Sequence, residues 1–465
     1  MTDLWPAPFH PSPVRGSVAV PGSKSLMARF LITAALGGPG TTGRILAPLR
    51  ARDTELMARA LASMGVGVAW QRGATEAEDV LDISPAPLHG ATIDAGLAGT
   101  VMRFVPPVAA FARGEVVIDG DDAARVRPMD PVVRALRDLG VEVDAASDSA
   151  GRAVLPVRVH GQGNLAGGTV EIDSSASSQF ISALLLAGPR CEGGLVLRSV
   201  GPKVPSAFHL AMTVDVLRRA GIQVEEFAAG GAPADREHPA VEWHVHPGTP
   251  QLGTVVLEPD LSNASPFLAA AMVTGGTVEI PRWPARTTQP GAQIVDIFTA
   301  MGARAQLRGD GVLELTGPRD IAPLDADLSD VGELTPTIAA VAAFATGPSA
   351  LRNIGQLRGH ETNRLAAITA ELSGVGIPAR EEGDDIIITP PAVSGAAAGE
   401  VAAPGTPGAA PAPHNPIIRS YEDHRMATFG AILGLRIPGL RVENIATTGK
   451  TMPRFAQMWT DLVGR

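Results

Sequence analysis

The sequence predicts an α/β protein made of six copies of one repeat, packed as two domains of three copies each. Three observations predict it. Six times a polar or charged cluster runs directly into an apolar, alanine- and leucine-rich segment of helical length. Five times a second, amphipathic segment ends in a glycine turn. The copies recur 72 to 89 residues apart, too long a period for a solenoid of roughly 20 to 50 residue repeats.

The first helices of the repeats begin near Lys24, Thr100, Ser178, Asn263, Thr335 and His424. Being apolar on all sides, they belong in the domain centres. Each runs on to a β-rich stretch such as Glu115-Val116-Val117-Ile118 or Gly276-Thr277-Val278-Glu279-Ile280. The second helices end in LASMGV, LRDLGV, LRRAGI, FTAMGA and LSGVGI, and Met452 to Arg465 supplies the sixth. Glycine there fits a left-handed cap before a strand. These amphipathic helices belong on the outside. The first strand segment goes with the last three repeats, so one domain is residues 1–22 with 258–465 and the other is 23–257. Hinges are expected near Val20 to Gly22 and Glu258 to Asp260. An Ala/Pro/Gly-rich stretch, residues 390–416, cannot bury enough apolar surface to order itself and is expected to be a flexible loop.

With 45% apolar and 18% charged residues the chain is globular. A net charge of −10 and a pI near 5.5 exclude a nucleic-acid surface, because backbone binding needs a positive field over much of one face. Any anionic ligand must meet a local cationic pocket. No run of about 18 apolar residues marks a membrane span, and Met1 to Pro13 lacks the order of a signal peptide. A cytoplasmic monomer is expected. The single cysteine, Cys191, lies in a turn and reads as an inert thiol; it excludes an intrachain disulfide and a multi-cysteine metal site.

Polar residues cluster at the helix starts: Lys24, Ser25, Arg29, Arg103, Ser177, Ser178, Gln179, Glu333 and Arg425, with Arg127, Glu361, Arg364 and Lys450 on later turns. A helix N-terminus offers free N–H groups and a positive dipole end, so starts gathered at a shared cleft favour anions. Plain N-capping explains any one such start; six together are harder to explain that way. Charged groups beside apolar helices are costly unless paired, and arginine forks suit carboxylate and phosphate. A few are expected in internal salt bridges to Glu333, Glu361 or Asp423. The fourth start, Ser262-Asn263-Ala264-Ser265, carries no charge and reads as structural. Gly449-Lys450-Thr451 fails as a P-loop because Asn444 occupies the first glycine position, and His360-Glu361 fails as a zinc helix because Arg364 stands at the second histidine position.

The runs Pro21-Gly22-Ser23-Lys24-Ser25, Leu97-Ala98-Gly99-Thr100-Val101-Met102-Arg103, Ser177-Ser178-Gln179-Phe180, Arg358-Gly359-His360-Glu361-Thr362-Asn363-Arg364, Asp423-His424-Arg425-Met426 and Lys450-Thr451-Met452-Pro453 resemble, in order, the signature segments of the EPSP synthase (3-phosphoshikimate 1-carboxyvinyltransferase) family. The resemblance spans nearly the whole chain. It implies a two-domain inside-out barrel of six βαβαββ units, three per domain, closing on substrate. It implies transfer of the enolpyruvyl group of phosphoenolpyruvate to the 5-hydroxyl of 3-phosphoshikimate, a step of aromatic amino acid biosynthesis, with neither metal nor cofactor. Matched position by position, Lys24, Gly99, Arg127, Gln179, Arg364, Arg425 and Lys450 would hold phosphoenolpyruvate. Ser25, Arg29, Ser177, Ser178, Gln179, Ser206, Glu333 and His360 would face 3-phosphoshikimate. Glu333 would be the base at the acceptor hydroxyl, Glu361 the proton donor and acceptor at C3, and Lys24 a partner in proton transfer.

The chain departs from the family's usual pattern at Ala28, Leu97, Phe104, Glu333, His360 and Asn363. Ala28 and Asn363 leave open a specialised paralogue with another donor or acceptor. A UDP-N-acetylglucosamine enolpyruvyl transferase is disfavoured, since Lys24 precedes Ser25 rather than asparagine and Cys191 lies in an unrelated segment. A binding-only protein would have no need for both Glu333 and Glu361.

Overall fold

The computed structural model describes residues 3–173, 175, 177–201, 207–235, 238–391 and 416–464. Most of the 390–416 stretch lies outside them. The chain divides into two compact units, Met1–Pro21 with Glu258–Arg465 and Gly22–Leu257, so Gly22 goes with the second.

Among the described residues twelve α-helices alternate in type. In the 22–257 unit these are α1 Lys24–Ala35, α2 Arg52–Ser63, α3 Gly99–Ala109, α4 Asp130–Asp138, α5 Gln179–Ala187 and α6 Ala207–Arg219. In the other unit they are α7 Leu261–Thr274, α8 Ile294–Ala300, α9 Thr335–Ala342, α10 Arg364–Gly374, α11 His424–Gly434 and α12 Phe455–Val463. The odd-numbered helices are the apolar ones, and nearly all their residues are buried. In each unit the three of them pack on one another. Starts expected at Thr100, Ser178 and Asn263 fall at Gly99, Gln179 and Leu261. Five of the even-numbered helices, α2 to α10, run into Gly65, Gly140, Gly221, Gly302 and Gly376, all at positive φ between 82° and 106°. Glycine adopts that conformation without the Cβ penalty, and it turns the chain from helix into strand.

Among the described residues there are six small sheets, five of four strands and one of three. One shows the common pattern: His89–Asp94 runs parallel to Arg113–Asp119, which pairs antiparallel with Ala153–Gln162, and Glu142–Ser147 closes the edge. This is the β-α-β-α-β-β unit. Where the chain passes from one unit to the other, the leading strands are exchanged. Arg15–Ser17, which precedes α1, pairs with Thr277–Ile280 after α7, while Thr254–Val256, which precedes α7, pairs with Gly43–Leu46 after α1. The sixth sheet takes its antiparallel strand, Leu4–Pro6, from the N-terminus. No described helix is long and apolar enough to cross a membrane.

Candidate active site

In the 22–257 unit the helix starts carry two groups of side chains. Lys24 opens α1, whose cap is Ser23, and its ammonium lies 3.0 Å from Asp53 Oδ2 on α2. One turn on, Arg29 is buried. Its guanidinium donates to Thr213 Oγ1 (2.8 Å), Ser182 Oγ (3.3 Å) and the carbonyls of Ser25 (2.9 Å) and His209 (3.1 Å), and it lies over the Phe104 ring at 5.4 Å. Among the described residues no carboxylate pairs with it, and burial pulls its pKa down to about 9. An anion would repay that desolvation.

The second group gathers Gly99, Arg103, Arg127 and Gln179. Arg103 donates to Gln179 Oε1 (2.7 Å) and stacks over Phe180 at 5.0 Å. Arg127 donates to the Leu97 carbonyl at 3.1 Å. Gly99 sits against both: a Cβ there would meet Arg127 Nη2 at 3.0 Å and Gln179 Oε1 at 3.3 Å. Ser177 Oγ accepts from the Gln179 N–H (3.3 Å), and Ser178 is buried at the start of α5. Ser206 lies outside the described residues.

In the other unit the candidates converge on arginines. Arg364, first residue of α10 and buried, donates to both oxygens of the fully buried Asp423 (2.8 and 3.2 Å), to Glu361 Oε2 (2.9 Å), and contacts His360 Nδ1 at 3.3 Å. Burial opposes its charge, but Asp423 and Glu361 outweigh burial and raise its pKa. Asp423 also caps α11, accepting from the Arg425 N–H at 2.8 Å. The Arg425 guanidinium is held below its ordinary pKa by burial and by Arg364, against Glu333, Asp260 and Asp423. Glu333 is buried just before α9, 3.5 Å from Ser262 Oγ. Burial raises its pKa, although Arg425, its own backbone N–H and Arg364 work the other way. Lys450 donates to the Glu422 carbonyl. No group of three metal-ligating side chains gathers among the described residues.

Sequence reasoning missed the residues that hold these groups. Thr213 and Ser182 stand 184 and 153 positions from Arg29, and nothing local in the sequence marks them. The fourth helix start, read as structural, reaches Glu333 through Ser262. Asp53 carried a signal that went unread: an acid in the first turn of α2. One departure from the family pattern has a structural reason. Asn363 caps α10, its side chain accepting from the Ala366 N–H at 3.2 Å as an aspartate would. Ala28 is buried within α1.

A family model for EPSP synthase (3-phosphoshikimate 1-carboxyvinyltransferase) matches residues 9–459. The chain is 50% identical over 469 aligned positions to a 3-phosphoshikimate 1-carboxyvinyltransferase of Kocuria rhizophila, covering 99% of this chain and 97% of that one. An EPSP synthase structure from Acinetobacter baumannii shares the fold with a TM-score of 0.75 at 23% identity, over 100% of this chain and 98% of that one. The enolpyruvyl transferase NikO from Streptomyces tendae shares it at 0.72 and 18% identity, over 98% and 96%. The chain belongs to the EPSP synthase family.

Proposed function

We propose that the chain transfers the enolpyruvyl group of phosphoenolpyruvate to the 5-hydroxyl of 3-phosphoshikimate by addition and elimination, as a cytoplasmic monomer without metal or cofactor. In the addition the acceptor oxygen bonds to C2 of phosphoenolpyruvate, its proton leaves to a base, and C3 gains a proton from an acid. In the elimination the C2–O bond to phosphate breaks, C3 gives a proton back, and the enol ether and inorganic phosphate depart.

The observation that carries this reading is the arginine-centred cluster of the 258–465 unit, where Arg364 touches Glu361 and both Arg364 and Arg425 act on Glu333. Two carboxyl groups in unlike settings suit opposite proton duties. Glu333, made more basic by burial, takes the hydroxyl proton. Glu361, tied to Arg364, serves C3. Arg364, Arg425 and Lys450, with Lys24, Gly99, Arg127 and Gln179, hold the donor's carboxylate and phosphate and stabilise charge as it shifts. Ser25, Arg29, Ser177, Ser178, Gln179, Ser206 and His360 hold the acceptor. Arg29, a buried cation without a described carboxylate partner, is suited to an anionic acceptor.

The test is phosphate release with phosphoenolpyruvate and 3-phosphoshikimate at millimolar concentration. Turnover dependent on both substrates supports the reading, and none at all favours a paralogue with a different donor or acceptor. The capping bond of Asn363 is one that an aspartate would also make, which weakens that departure as a pointer to a paralogue.

A further inference from the structure

The turn just ahead of α11 has a backbone that its sequence does not favour. The Asp423 N–H donates to the Ser420 carbonyl at 2.8 Å, closing a four-residue turn. Its central residues, Tyr421 and Glu422, lie at φ 53° and 55°. A turn with two positive φ values is ordinarily made by Asn-Gly or Asp-Gly. Side chains as large as Tyr and Glu are costly there and persist only where their surroundings over-determine the conformation.

Those surroundings are specific. Helix α10 presents Arg364 and Glu371, seven residues apart and so on one face. Arg364 grips Asp423 at the end of the turn. Glu371, buried, accepts from the Arg419 N–H (3.1 Å) and the Tyr421 hydroxyl (2.6 Å) at its beginning. Asn444, itself at φ 49°, donates to the Glu422 carboxylate at 2.7 Å. The same turn reaches all three donor-side cations of this unit. Arg364 bonds to the Asp423 carboxylate, the Arg425 N–H bonds to that carboxylate too, and the Lys450 ammonium bonds to the Glu422 carbonyl.

We infer that the Ser420–Asp423 turn is a positioning device that sets Arg364, Arg425 and Lys450 against one another for phosphoenolpyruvate, and that Glu371 and Tyr421 are the positioning residues that lock it. The inference rests on the donor-site reading of those three cations. Neither Glu371 nor Tyr421 touches a reacting atom in that reading. They act through the turn.

Steady-state kinetics on the full chain with both substrates tests this. Glu371→Ala strips the acceptor from two donors and raises KM for phosphoenolpyruvate about tenfold, while KM for 3-phosphoshikimate changes less than about twofold. Glu371→Gln keeps one acceptor oxygen and restores KM to within about threefold of wild type, and Tyr421→Phe raises it by a similar factor. A general loss of structure would move both KM values together; that result, or no change in either, overturns the inference. Should Glu371→Ala fail to fold, the lock is still read without turnover, because Tyr421 is the only tyrosine in the chain. Burial, and after it Glu371, pushes its hydroxyl up to about 12. Ultraviolet titration of the wild type, with Tyr421→Phe as blank, gives a midpoint clearly above the ordinary tyrosine value of about 10 if the hydroxyl is buried on Glu371; a midpoint near 10 overturns it. A wild type that released no phosphate would overturn the donor-site reading and the inference together, whereas an active wild type with unselective variants overturns the inference alone.

Discussion

The two units treat buried arginine in opposite ways. In the 22–257 unit, Arg29 is surrounded by hydroxyls, backbone carbonyls and an aromatic face, Arg103 reaches an amide, and Arg127 reaches a carbonyl. In the 258–465 unit, Arg364 sits on two carboxylates, and Arg425 is acted on by three. Neutral partners orient a guanidinium but leave its charge unspent, so the setting of Arg29 is built to receive an anion. Carboxylate partners cancel the charge, so the second unit binds anions less well, yet it keeps acidic groups beside the cations that tune them. Under the proposed reaction, binding rests more on the first unit and proton transfer on the second. Lys24, paired with Asp53, is the exception in the first unit, and it is also the residue there given a share in proton transfer.

The largest effect expected from this division is on turnover. Glu361→Gln keeps the shape and a hydrogen-bonding oxygen for Arg364 but removes the acid. Expected is a fall in kcat of about a thousandfold, within the range for loss of general acid–base catalysis, with both KM values within a few-fold of wild type. Nearly normal turnover would end the assignment of Glu361.

Arg29 gives the converse. Replacing Arg29 by an apolar side chain of similar length removes the desolvation cost of a buried charge but also the hydrogen bonds it donates to Thr213, Ser182, Ser25 and His209, and the two effects oppose one another. Arg29→Met is therefore expected to melt within about 2 kcal/mol of wild type while KM for 3-phosphoshikimate rises at least about tenfold. A marked loss of stability with unchanged KM would make Arg29 a structural residue and erase the contrast between the units.

What the sequence made legible follows the range of the physics. Glycine caps are local: Gly65, Gly140, Gly221, Gly302 and Gly376 announce a positive φ by identity alone, and each adopts one. The apolar helices announce their burial by lacking a polar face. The environment of Arg29 is not local, because Thr213 and Ser182 come from α6 and α5, and only packing brings them to it. Nor could the Ser420–Asp423 turn be read, since Tyr-Glu is a poor sequence for two positive φ values and it is tertiary anchors that impose them. Asp423 was legible as a salt-bridge partner, but its double duty to Arg364 and to the Arg425 N–H was not.

Glu333 sharpens the comparison through pH. Burial raises its pKa above that of an ordinary glutamate, so as pH falls the protonated form accumulates sooner than it would in water. A general base works only when ionised; kcat/KM, which follows the free enzyme, is therefore lost on the acid side, through a limb lying above about 4.3, the ordinary glutamate value. Glu333→Asp, which shortens the reach to the hydroxyl, is expected to lower kcat about tenfold and to keep an acid limb. A wild-type limb at or below the ordinary glutamate value would show that some other group sets the profile.

The smallest expected effect tests whether Gly99 faces the donor. A methyl group there would meet Arg127 Nη2 at 3.0 Å and Nη1 at 3.3 Å, the far end of a flexible side chain, and Gln179 Oε1 at 3.3 Å. Gly99 opens α3 and is not among the residues held at positive φ, so alanine fits the backbone and Gly99→Ala should melt within about 1 kcal/mol of wild type. The displaced Arg127 fork is what would be felt. KM for phosphoenolpyruvate is expected to rise about three- to tenfold with KM for 3-phosphoshikimate unchanged, because a shift of a few tenths of an ångström spoils a bidentate contact without removing it. If both KM values stayed at the wild-type level, the Gly99, Arg127 and Gln179 group would not be where the donor binds, and the anion-receiving role of this unit would rest on Arg29 and the α5 serines alone.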